Sequence, residues 1–165
     1  MIYFIIQKIK DALQEDPFVT TVTEGDIFDV DLNKKTLFPL SHIIVNNAQH
    51  QGNVWEFGIS ILCMDIVDEG QLTDNKLDIW NTQFLVANRL LDRLNRGDLA
   101  YDNFQLVANP TLEPFTERFE NSLAGWSVDF SIQVRNDMTI CDDVIKTFDK
   151  TFDKTFDKTF DKTFK

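Results

Sequence analysis

The chain holds two histidines, His42 and His50, which stand eight residues apart on either side of a predicted strand. At that even spacing they share a face but lie far apart along it, so they do not form a paired metal site. Both read as polar residues of a strand edge. Asp65, Asp68 and Glu69 gather where a long alternating stretch ends, and their oxygens are the donors a hard cation takes. A solvated turn in front of a helix accounts for the same three acids and is the preferred reading. Asp142 and Asp143 read in the same way, as a cap or an exposed turn. Cys63 and Cys141 make neither a C-x-x-C motif nor a zinc pattern. Buried free thiols fit them better, consistent with assembly in a reducing compartment. Ser60 and Ser131 fall on predicted strands with no base or nucleophile-elbow motif nearby, and there is no glycine-rich phosphate loop. These residues suggest no enzyme, no cofactor and no bound metal. By subtraction, the chain reads as a binding or structural protein.

The totals bound the alternatives. A length of 165 residues suits one domain with a real core, and 43% hydrophobic content with 15 Phe suits a folded chain. A net charge of −11 disfavours binding to nucleic-acid phosphates, which needs a basic surface, and docking on anionic membrane. The apolar start MIYFIIQKIK is interrupted by lysines and Asp11, so it reads neither as a signal peptide nor as a membrane helix.

The elements that must position these residues centre on Val54 to Leu94. Over Val54–Val67, Trp55, Phe57, Ile59, Ile61 and Cys63 fall on one side at period two. The other side is polar at Glu56, Gly58 and Ser60 and apolar at Leu62, Met64 and Ile66. This predicts a strand whose second half is covered on both faces. After an acidic turn, with Asp74 as the expected N-cap, a helix follows. Its predicted stripe is Leu77, Trp80, Phe84, Ala87, Leu91 and Leu94, with Arg93 and Arg96 at its negative end and Gly97 as its stop. Upstream, Ile2 to Glu15 predicts a first helix with a stripe at Ile2, Ile5, Ile6, Ile9 and Leu13, closed by Pro17. A short strand is predicted over Phe18–Thr23, and Pro39 must sit at a strand start or edge. Ile43–Asn47 predicts a strand that forms a hairpin with the long one through the turn His50–Asn53. Downstream, a short strand is predicted at Phe104–Ala108, ended by Pro110. A half-buried antiparallel strand follows at Gly125–Arg135, while Thr116–Ala124 is ambiguous. The sum is an α+β domain over 1–141, a mainly antiparallel sheet with two helices packed on it, and a C-terminal low-complexity extension over 142–165.

The extension is a true repeat. TFDK occurs four times from Thr147 to Lys162. As a helix its Phe row drifts by about 40° per repeat; as a strand it puts Phe and Lys on one face and Thr and Asp on the other. One reading is a solvated product of repeat expansion. The other is an appendage that docks Phe148, Phe152, Phe156 and Phe160 on a neighbouring subunit. Ile27, Phe28 and Val30 in an acidic segment, and Phe115 and Phe119 in a polar one, are further candidate contact residues.

The element order, with the F-P-x-x-x-I-I-V strand Phe38–Val45, the long strand Val54–Val67, the helix bearing Leu90, Leu91 and Leu94, and the strand opening Ala124-Gly125-Trp126, resembles the tail terminator (tail-completion) proteins of tailed bacteriophages over roughly residues 1–140. The resemblance implies a structural virion protein without an active site. Its subunits would form a ring, commonly a hexamer, that caps the finished tail tube and joins it to the head-completion (neck) proteins. Assembly would take place in the host cytoplasm, with DNA passing the lumen unbound. An acidic lumen would repel phosphates. The rivals are another neck or tube protein of the same particle and a small acidic cytoplasmic protein-binding module. Last comes an enzyme with a metal at Asp65, Asp68 and Glu69.

Overall fold

A computed structural model describes residues 2–26, 37–68, 75–96, 104–107, 109–116 and 122–135. The chain divides into two units, Met1–Val134 and Arg135–Lys165. The elements belong to the first unit, the last strand running one residue past its boundary. In order they are α1 (Ile2–Gln14), β1 (Thr21–Glu24), β2 (Leu40–Gln51), β3 (Val54–Ile66), α2 (Lys76–Arg96), β4 (Phe104–Leu106), β5 (Thr111–Thr116) and β6 (Leu123–Arg135). The strands form one six-stranded sheet in the order β1-β2-β3-β6-β4, with β5 also paired to β6. The expected α+β architecture is the one observed: a largely antiparallel sheet with two helices.

The strand β3 is central because its residue pattern allows burial on both sides. β2 flanks it in the predicted hairpin, from Leu40↔Met64 to Gln51↔Val54, closed by a turn in which Gly52 takes φ 63°. On the other flank, Gly125 of β6 lies against Cys63 and Met64, Ser60 bonds Asp129, and Gln133 bonds Glu56. Numbers fall along β3 as they rise along β6, so this pair is antiparallel too. Phe57, Ile59, Ile61 and Cys63 project to the helix side and join Ile5, Ile9, Leu13, Val86, Leu90 and Ile132 in the main core. On the opposite side Met64 packs with Phe38, Leu40, Phe115 and Leu123. The expected two-faced burial of the second half is therefore present. Burying each such side chain contributes roughly 1.5–3 kcal/mol, which is why this strand can hold layers on both sides.

Four local expectations change. The stripe of α2 that faces the core is Ile79, Gln83, Val86, Ala87, Leu90, Leu91 and Leu94. Leu77 is 73% exposed and Phe84 39%. The helix carries apolar residues over a wide arc, and the sheet takes the side that α1 also reaches. Asp16, just past α1, accepts Arg89 Nε at 2.6 Å and Nη2 at 2.9 Å, and Arg93 bonds Glu15 at 2.7 Å. These pairs set the rotation of α2 at its middle. Second, the early strand is shorter than predicted and pairs parallel with β2, Thr21↔Leu40 to Glu24↔Ile43. Third, Thr111–Thr116 is a strand, paired with β6 from Thr111↔Asp129 to Thr116↔Ala124. Pro114 argues against a central strand, but β5 pairs with β6 alone, and an edge tolerates proline. Fourth, β4 and β5 line the same flank of β6, interrupted where Asn109 takes φ 72° before Pro110. Pro39 sits immediately before β2, after a cis peptide bond, and its carbonyl accepts Thr20 N at 2.9 Å. Asp74 and Gly97 lie outside the described residues.

Gly125 is fixed by close approach. A Cβ there would run into the Cys63 carbonyl oxygen and come within 2.9 Å of Met64 Cα. Both are main chain and cannot swing aside, so the two central strands would have to separate. Gly125→Ala is expected to cost about 3 kcal/mol or more, read as a fall in the denaturation midpoint. Gly58→Ala, whose Cβ meets only the Asn47 side chain, is expected to cost about 1 kcal/mol. Equal losses in the two variants would contradict this packing.

Candidate functional site

The residues singled out by chemistry are placed as follows. His42 is fully buried in β2, with its Nδ1 2.7 Å from Thr23 Oγ1 of β1. The edge reading fails for it because β1 covers this half of β2. His50 lies on the exposed half, its ring tilted against that of Trp55 with centroids 4.8 Å apart. Cys63 is a buried free thiol, pushed up to about 12 by loss of solvent, against which the Ser41 hydroxyl acts weakly. Asp65 is shifted upward by burial, opposed by the amide of Ile66, which donates to its Oδ1 at 2.8 Å. The Asp68 amide donates to Asn75 Oδ1 at 3.0 Å, tying the end of β3 to the start of α2. Glu69, Asp142, Asp143 and Cys141 lie outside the described residues. Among the described residues, no three His, Cys, Asp or Glu side chains gather as a metal site, and no helix is long and apolar enough to cross a membrane.

Of the candidate contact residues, Phe115 is described, and the structure corrects its reading. It is 4% exposed and packs against Leu40, Met64 and Leu123 in the chain's own second core. Its stretch looked polar because Glu113 and Phe115 share one face of β5, which is exposed at Glu113 and covered by the second core only at Phe115, with Pro114 between them. Ile27, Phe28, Val30, Phe119, Phe148, Phe152, Phe156 and Phe160 lie outside the described residues.

Two features were not foreseen. The first is the outer half of β2. Beyond Ile43 no described strand pairs with its free edge, and Val45 through Gln51 are all exposed. This run contains no Asp, Glu, Lys, Arg or Pro, the residues with which edges are ordinarily blunted. The second is a polar cleft of about 290 Å³ on the sheet face opposite the helices. It is built by three departures from regular strand geometry. The register of β2 on β3 slips by one residue between Val45 and Asn47, a bulge that brings two successive asparagines to the cleft. Asn46 Nδ2 donates to Ser60 Oγ at 2.6 Å, and Asn47 Oδ1 accepts the Gly58 amide at 3.2 Å. Gly58 leaves room for the Asn47 carboxamide to lie over it, and Asn109, with φ 72°, lines the cleft beside Thr111. At the centre, Asp129 accepts a hydrogen bond from Ser60 on Oδ1 and from Ser127 on Oδ2, the latter at 3.4 Å. Of the two serines, Ser131 lines the cleft, and Ser60 bonds two of its lining residues, Asn46 and Asp129, in a network that orients the carboxylate. A bulge, a glycine and a left-handed asparagine, each unremarkable alone, carry no signal in sequence that they will meet.

No protein-family model and no curated protein matches the chain.

The position of Asp65 makes a pH prediction. Its folded value lies above its ordinary 3.8, so the folded state holds the proton more tightly. Its contribution therefore disfavours folding at neutral pH, and that penalty is relieved as pH falls through the folded value. Asp65→Asn keeps an acceptor for the Ile66 amide and removes the charge. The variant is expected to melt higher than the parent at pH 7, with the gain shrinking in mild acid and gone below 3.8. A gain independent of pH would contradict burial as the cause.

Proposed function

We propose that the chain is a structural assembly subunit of the tail-terminator type, forming a ring that caps a tail tube and links it to the neck proteins. The single observation that carries this reading is the exposed, uncharged outer half of β2, Val45–Gln51. A row of main-chain donors and acceptors left open along a strand edge is a template for another chain, and a ring subunit needs such lateral contacts. The opposite edge is unlike it: β5 carries Pro114 and Glu113 and is broken from β4 at Asn109 and Pro110. Association through the sheet therefore runs through the β2 side. The net charge of −11 supports a lumen along which DNA slides without sticking, since phosphates are repelled. The order of elements supports the same reading, with the long strand Val54–Ile66 feeding α2 and the Ala124-Gly125-Trp126 strand closing the sheet.

A binding module is the second reading, favoured by the polar cleft on a face free of helices. Stoichiometry separates the two. Native mass measurement of the full chain, over a range of concentrations, is expected to show sixfold particles. A stable dimer would overturn the ring and favour the binding module. The same measurement on a chain ending at Ile145 reports whether the TFDK repeat clasps subunits: rings from the full chain alone would assign it that part.

A further inference from the structure

We propose that the cleft around Asp129 is a receptor for an arginine side chain presented by a partner of the assembly. This rests on the assembly reading for who presents the side chain, but the chemistry stands on the cleft alone. Asp129 is half-buried and held by two serine hydroxyls, and among the described residues no Lys or Arg lies against it. Each carboxylate oxygen accepts one of these bonds and keeps a second lone pair. The hydroxyls thus fix the direction of the carboxylate without neutralising it. Among the described residues the cleft lining holds no cation, which disfavours a phosphate or carboxylate ligand. Asp129 is also the single acid among those lining residues, too few anionic oxygens for a calcium site.

What remains is a hydrogen-bond donor with positive charge. The walls specify its shape. Asn46 and Asn47 stand on one side, and Asn109 and Thr111 on the other. Side-chain carbonyl and hydroxyl oxygens on two walls around a central carboxylate suit a planar group with donors on several edges. A guanidinium offers five such donors and pairs with a carboxylate through two parallel bonds; an ammonium is a point charge that leaves the walls unused. Glu56 and Glu113 stand on the same sheet face, Glu56 beside Gln133 and Glu113 opposite Ser127, and they strengthen the field toward a cation. A volume of about 290 Å³ exceeds one guanidinium and leaves room for flanking peptide amides. The occupant is therefore an arginine on an extended segment, not a free small molecule of drug size.

The test uses the full chain, isotopically labelled, titrated with N-acetyl-arginine amide and, separately, N-acetyl-glutamine amide, and read by amide chemical shifts. The proposal expects saturable shifts confined to Asn46, Asn47, Gly58, Thr111 and the asparagine side-chain amides, from the arginine probe alone. Asp129→Asn is expected to weaken the response by about tenfold or more, as loss of a charged hydrogen-bond acceptor does. Thr111→Lys places a cation opposite Asp129, its cross-strand partner, on an exposed position. It is expected to abolish the response with the fold intact, which keeps the test decisive if Asp129→Asn does not fold. Equal responses to both probes, unsaturable shifts, or an undiminished response in Thr111→Lys would overturn the proposal. Because the probe is read on the free subunit, a failure here is distinct from a failure to form rings.

Discussion

The rest of the structure depends on the approach of two main chains at Gly125. There β6 presses against β3 without a side chain between them, and the sheet is locked at the point where it must be covered on both faces. On one side of this contact lies the helix layer, with Ile59, Ile61 and Cys63 beneath it. On the other lie Leu40, Met64, Phe115 and Leu123. β5 pairs with β6 and with no other described strand, so its place follows from that of β6. Trp126, next in sequence, reaches the other way and donates to the Trp80 carbonyl at 2.8 Å, fastening α2 to the same strand. Trp80 in turn donates to the Phe115 carbonyl at 3.3 Å. Strand, helix and edge therefore close a loop of contacts around one glycine.

From this fixed end the sheet changes character along its length. Near Gly125 it is a core on both faces. Toward Gln51 the helix-free face turns to amides, hydroxyls and carboxylates tied to one another, as Gln51 and Gln133 both are to Glu56. Polar groups that satisfy each other at a surface keep the face soluble without consuming stability. The apolar half has its own polar inclusions, and these cost more. Ser41 is buried with a weak donor contact of 3.8 Å to Cys63 Sγ. Gln83 is 1% exposed with no hydrogen-bond partner for its amide among the described residues, and an unsatisfied buried amide works against folding. The bidentate pair between Arg89 and Asp16 acts in the opposite sense at the edge of the same region.

Where the sequence was legible, local pattern and tertiary setting agreed. The alternation of Trp55 to Cys63 and of Trp126 to Val134, the stripe Ile5, Ile9 and Leu13, and the hairpin turn each specify an element unaided. The readings that changed are those where another part of the chain decided the outcome. α2 has apolar residues on too wide an arc for one stripe to be chosen without knowing that Arg89 would meet Asp16. β5 is hidden by Pro114, tolerable only because that strand is an edge. His42 is polar and near a strand end, yet buried, because β1 pairs parallel with β2 and brings Thr23 to it. The cleft was the least legible feature. Asn46, Gly58, Asn109 and Asp129 come from four separate stretches, and a one-residue slip in pairing leaves no mark in composition.

The outer half of β2, which no described strand pairs beyond Ile43, is the edge we propose another chain joins. Amide hydrogen exchange on the dilute subunit and on its concentrated, assembled form tests it most directly. Slowest exchange is predicted over Ile59–Met64 of β3, fast exchange in the dilute form at those amides of Asn47–Gln51 that point away from β3, and protection of the same amides on assembly. Slow exchange of the outward amides in the dilute subunit, or no gain in protection there on assembly, would contradict it.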